Sequence, residues 1–134
     1  MFDKYEGPWR FHFITITESG EIGNVIPQGE YDFPAIDGNG KITGGKDNNN
    51  KELEGNFSTQ GPLDFLRMKR KDGTRHFRGI RAFERTTGGG GRQIVFVGQR
   101  SRRPIPEERM EGAEGKGVSP LDQQDEGVWI ATKP

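Results

Sequence analysis

The chain has 134 residues, 29% hydrophobic, 30% charged and none of them cysteine, which excludes disulfides and thiolate metal sites. Lys+Arg and Asp+Glu balance at 20 each, so no net charge draws the whole chain to nucleic acid or an anionic membrane. No apolar run approaches the roughly 20 residues a membrane helix needs, and the acidic start MFDKYEGPW lacks the apolar core of a signal peptide; the expected location is cytoplasmic.

Residues 2–17, FDKYEGPWRFHFITIT, open the chain. From Trp9 the residues alternate: Trp9, Phe11, Phe13 and Thr15 point one way, and Arg10, His12, Ile14 and Ile16 the other. Period-two alternation predicts a β-strand with one buried face. Residues 18–21 read as a turn, and 22–26 as a short strand interrupted by Pro27. The stretch 29–33 stays extended with Tyr31 and Phe33 on one face, and Pro27 and Pro34 predict a bulge or an edge there. A turn at 37–40, a brief strand at 41–43 and a loop tip at 44–50 follow. Leu53, Gly55 and Phe57 alternate in the next strand, and Gly61-Pro62 turns the chain. The strand at 63–71 slips phase between Phe65 and Leu66, which predicts a bulge. Asp72-Gly73 is a hairpin turn. Residues 75–85 return, with Phe77, Ile80, Ala82 and Phe83 as apolar members and a second bulge expected at Gly79. A glycine-rich connection at 86–91 leads to 94–97, the most apolar strand. Residues 101–126 form a long loop or lid, with a short helix at 107–114. Residues 128–133 close the chain as a last strand carrying Trp129.

About eight strands joined by short turns predict an all-β fold, an antiparallel up-and-down β-barrel forming one domain over 1–134; a small β-sandwich is the alternative. Closure removes exposed edges and pairs the last strand with the first. Ile14 and Ile16, on the outer face with His12, call for a covering neighbour: the loop at 101–126 or a second copy in a homodimer.

The run Phe2-Asp3-Lys4-Tyr5-Glu6-Gly7-Pro8-Trp9 resembles the first block of the lipocalins, a Lys-Tyr followed by Gly-any-Trp at the head of the first strand. Gly-any-Trp is also similar to the avidin branch of the same calycin superfamily, as are the glycine-containing hairpins at 40–45 and 52–57. The resemblance implies a barrel with an apolar cup for a small ligand, and Trp9 as the plug of its closed end. Arg102 or Arg103 is the nearest candidate for the arginine that lipocalins place against that tryptophan. The polar contacts by which avidins hold biotin are not found, so biotin is not implied.

Charge is unevenly placed. Residues 1–65 hold five Lys/Arg against eleven Asp/Glu, 66–103 twelve against two, and 104–134 three against seven. The basic hairpin at 67–85 interleaves His76, Phe77 and Phe83 among cations, as single-strand nucleic-acid grooves do. Against that, Lys69, Arg70 and Lys71 flank a turn, where charge serves solvation, and opposite charges on neighbouring strands neutralise each other. Residues 35–46, AIDGNGKITGGK, imitate part of an EF-hand, yet Lys46 stands where the bidentate glutamate belongs. They read as a Gly/Asn hairpin. Gly88 to Gly91 lack the Gly-Lys-Ser/Thr ending of a phosphate loop. His12 and His76 take outward parity, which leaves neither as a base or metal ligand. No metal site, cofactor or catalytic residue is indicated.

The leading expectation is a protein that binds a small hydrophobic or amphipathic molecule in the barrel. Trp9, Phe11, Phe13, Tyr31, Phe33, Phe57, Phe83 and Trp129 would line the site, with Arg81 and Tyr31 as polar anchors. The alternatives are a barrel enzyme of cyclase or isomerase type, and anion or nucleic-acid binding through 67–85.

Overall fold

A computed structural model describes residues 1–86, 89, 92–105 and 125–133, and for 83–86, 92, 125 and 126 the backbone alone. Among the described residues a 3-10 turn, Asp3–Tyr5, precedes ten strands: β1 (Gly7–Ile16), β2 (Ile22–Phe33), β3 (Ala35–Ile36), β4 (Ile42–Thr43), β5 (Gly45–Lys46), β6 (Glu52–Gln60), β7 (Leu63–Arg70), β8 (His76–Thr86), β9 (Arg92–Ser101) and β10 (Asp125–Lys133). Eight of them close an antiparallel barrel in the order β1-β10-β9-β8-β7-β6-β5-β2, and β3 with β4 forms a small separate hairpin. This is the up-and-down topology of calycin type. The last strand pairs with the first, Phe11 opposite Ala131 and Phe13 opposite Trp129.

Alternation decides the inside. Trp9, Phe11 and Phe13 of β1 are buried, as are Tyr31 and Phe33 of β2, Leu53 and Phe57 of β6, and Leu66 and Met68 of β7. On the outside, Ile14 and Ile16 lie opposite Val25 and Ile22, and the latter two are 58% and 69% exposed. The apolar interior is mostly aromatic, and each ring taken from water stabilises the fold by roughly 1.5–3 kcal/mol. That concentration lets so polar a chain close a barrel.

Several local expectations are corrected. Pro27 does not interrupt β2, which runs through it; the strand absorbs the proline in a bulge at Gln28, where pairing shifts from Phe11–Gly29 to His12–Pro27. The predicted loop tip at 44–50 contains β5, the eighth barrel strand, joined to β2 through Asp32 opposite Lys46. No bulge separates Phe65 from Leu66, because β7 pairs with β6 in unbroken register from Leu63 to Arg70. The irregularity in β8 falls between Arg81 and Phe83, not at Gly79. Gly79 serves packing: a Cβ there would lie 2.4 Å from the Trp129 ring. Most of the connection at 86–91 and all of the expected helix at 107–114 lie outside the described residues.

Candidate functional site

The two ends of the barrel differ. At the lower end the chain seals itself. Trp9 Nε1 donates to the Tyr5 carbonyl at 2.8 Å, so the first strand holds the 3-10 turn across the opening. The Tyr5 hydroxyl donates to Asp64 and accepts from Arg81 Nη1 at 3.2 Å. Asp64 also accepts from Thr59 at 2.8 Å, which ties the turn to β6, β7 and β8. Burial, followed by the bond to Asp64, pushes the Tyr5 phenol up to about 12. Around it the rings of Phe2, Tyr5, Trp9, Phe33, Phe57 and Phe96 pack with neighbouring centroids 4.7–6.5 Å apart. The indole of Trp9 is thus held by Tyr5; Arg102 and Arg103 follow the opposite end of β9.

A second aromatic layer lies above. Phe11 stacks on Tyr31 with centroids 3.9 Å apart, and Phe77 and Trp129 complete the set at 5.3–6.2 Å. Gly79 and Gly98 face each other across β8 and β9; Gly79 clears the wall for the Trp129 ring, and Gly98 for the Arg78–Gly79 backbone. The Trp129 indole donates to the Gln99 carbonyl at 2.9 Å.

Polar side chains cap this upper layer. Arg100, 6% exposed, lays its guanidinium over the Phe13 ring, 3.5 Å from the centroid, a cation–π contact strengthened by burial. Its Nη1 donates to Gln28 at 3.4 Å. Asp47, whose carboxylate has no exposed surface, accepts from Arg70 Nε at 2.6 Å. The other carboxylate oxygen accepts from the backbone N–H groups of Asn49 and Lys51 at 2.9 Å each. Asp47 therefore shapes its own loop while fixing the arginine at the end of β7. Among the described buried atoms that meet no hydrogen-bond partner are the Tyr31 hydroxyl and Arg70 Nη2. Tyr31 is 1% exposed. Burial raises its phenol pKa, Arg75 and Arg100 oppose that rise, and Asp47 adds to it. Arg75 stands beside the hydroxyl.

The residues expected to line one pocket are therefore divided. Trp9, Phe33 and Phe57 belong to the lower layer, with Arg81 on the Tyr5 side. Phe11, Tyr31 and Trp129 belong to the upper layer, with Phe13 beneath Arg100. Phe83 lies in β8 past the bulge, and its side chain is outside those described. Arg81 and Tyr31 do not form a common anchor. The charged groups beside Tyr31 were missed: Asp47, Arg75 and Arg100, with Arg70 bonded to Asp47. Arg70 keeps the parity of Leu66 and Met68, and Arg100 that of Phe96. An arginine in phase with the core at the end of a strand was the available signal. Asp47 in its asparagine-rich loop had none.

The outer surface accounts for the basic hairpin. A groove of about 560 Å³ runs over β6 to β8, lined by Lys41, Glu54, Arg67, Lys69, His76 and Ile105 among others. Lys69 sits 3.4 Å from Glu54, its register partner across β6 and β7, and Glu52 lies between Lys46 and Lys71. Cross-strand neutralisation thus takes up part of the basic charge. Burial lowers the His76 pKa, and Asp37 gives one carboxylate oxygen to the N–H groups of Asn39 and Lys41 at 2.8 and 2.9 Å, as a hairpin turn does.

The chain matches no family model, no curated protein and no solved structure.

Proposed function

We propose that this protein is a calycin-like barrel that binds a small, mainly apolar molecule through its upper end. The observation that carries this reading is the Tyr31 hydroxyl, buried without a hydrogen-bond partner directly above an aromatic layer. A barrel built only to be stable gains nothing from that hydroxyl, since phenylalanine would fill the space without an unsatisfied group. The difference between the ends supports the same reading, because the lower end is sealed by the chain's own turn, whereas among the described residues polar side chains cap the upper aromatic layer. Phe11, Phe13, Tyr31 and Trp129 are the contact residues in this reading. Trp9, Phe33 and Phe57 support them from below.

Native mass spectrometry of the purified protein tests it. The expected result is a species heavier than the bare chain, which releases a small molecule on denaturation. A bare mass, together with unchanged melting in the presence of naphthyl and alkyl probes, would rule the reading out.

A further inference from the structure

We infer that the upper half of β2 is an interaction edge, which pairs with the same strand of a second copy of this chain. The barrel closes on β2 only at its foot. β5 meets β2 at the single pair Asp32–Lys46, while β1 pairs with its other side from Phe33 up to Ile22. Among the described residues, no strand pairs with β2 above Asp32 on the side away from β1. Asn48 comes near Gly29, and Gln28 accepts from Arg100. From Ile22 to Pro27 every residue is exposed, on both faces of the strand. In an antiparallel ribbon about half of the backbone N–H and C=O groups point to each side. This edge therefore presents donors and acceptors that match another extended chain.

The side chains choose the occupant. No charged residue lies between Glu21 and Glu30, in a chain that is 30% charged. An edge that must stay single is normally blunted by charge, above all lysine, or by proline. Here Pro27 guards the lower end of the run, and Ile22, Val25 and Ile26 stand exposed above it. A charged strand would set its cations or acids against them; a second β2 does not. Antiparallel pairing about a two-fold axis at Val25 places Val25 against Val25, Asn24 against Ile26 and Glu21 against Gly29. Within the free edge no acid then meets acid. Such a contact is isologous, each strand serving the other in the same way, and it uses up both edges. Within each ribbon Ile14 lies opposite Val25 and Ile16 opposite Ile22, so the pairing carries one apolar row across four strands, β1-β2-β2-β1. The edge is short and the dimer correspondingly weak, with a Kd of about 1 μM to 1 mM. The pairing holds whether or not the barrel takes a ligand.

Sedimentation of the full chain across that concentration range tests the inference, with hydrogen exchange measured at both ends of it. The expected result is a monomer at low concentration and a dimer at high concentration. Free-edge amides within 22–26 exchange at least about tenfold more slowly in the dimer. Val25→Lys sets lysine against lysine at the axis and weakens the dimer at least about tenfold. Its monomer melts within a few degrees of wild type, because the side chain is exposed. The chain has no cysteine, so Val25→Cys reports on the axis alone. Its two sulfurs come within disulfide reach and cross-link in the dimer, whereas those of Asn39→Cys, in the turn at 37–40, do not. A monomer at every concentration overturns the inference, and uptake of an alternating Val/Thr peptide by that monomer would assign the edge to another protein's strand. A dimer that survives Val25→Lys, or whose 22–26 amides exchange as fast as in the monomer, overturns it as well, since the contact then lies elsewhere.

Discussion

Two tyrosines are buried in this barrel, and burial raises the pKa of each. Their hydroxyls differ in what they meet. Tyr5 is bonded to Asp64 and Arg81 and belongs to the structure, whereas Tyr31 has no partner. The Tyr5 phenol rises from 10.0 to about 12, so in that window the unfolded chain releases its proton first. The stability this group contributes is fully present below pH 10 and is lost as pH rises through 12. Tyr5→Phe removes the titration and two hydrogen bonds. We expect it to be less stable than wild type by about 1–3 kcal/mol near neutral pH, with the difference shrinking between pH 10 and 12. Urea unfolding of both proteins across that range checks this, and a gap that stays constant to pH 12 would refute it. Tyr31 titrates in both proteins and drops out of the comparison.

At the scale of elements, strands are positioned by what their glycines leave open. Gly79 and Gly98 are opposed across β8 and β9, and the Trp129 ring of β10 lies against Gly79. A Cβ on Gly79 would stand 2.4 Å and 2.5 Å from two ring carbons and 2.6 Å from the Val97 carbonyl oxygen. Those contacts are too short for any real Cβ, and two of the three partners belong to a packed indole. Gly79→Ala is expected to cost about 1–3 kcal/mol through overpacking and to shift Trp129 emission as the ring moves. Chemical unfolding followed by fluorescence checks both; unchanged stability would show that the ring has room to yield. The sequence marks Gly79 only as a possible irregularity, because the ring that needs the space arrives 50 residues later in the chain.

On the scale of the molecule, closure is uneven. β8 and β9 pair over nearly their whole length, as do β6 and β7. β2 meets β5 through the single pair Asp32–Lys46, and β5 meets β6 through two. The seam between β2 and β6 is the least hydrogen-bonded part of the wall, and local opening follows such scarcity. Hydrogen exchange should therefore be fastest among the barrel strands at Gly45–Lys46 and slowest in β8 and β9. Equal protection around the wall would show that side chains hold the seam, with the Asp47–Arg70 pair the first to examine.

Much of this was determined by the sequence alone. Alternation in 9–13, 31–33 and 53–57 sets which residues face inward, because a strand has a period of two whatever lies beside it. The hairpin at Asp72-Gly73, the pairing of the last strand with the first and the closed barrel follow from turn chemistry and from the cost of open edges. Tertiary structure alone decided three further matters. It split the expected aromatic pocket into two layers, since height in a barrel depends on the register between strands that are distant in sequence. It made a barrel strand of Gly45–Lys46, too short to carry any periodicity. It brought Asp47 and Arg100 near Tyr31 and Arg70 onto Asp47, three loop or strand-end residues whose proximity exists only once the wall is closed. Where a pattern is local, the chain could be read directly. The candidate site is a meeting of distant residues, and only the closed wall makes it visible.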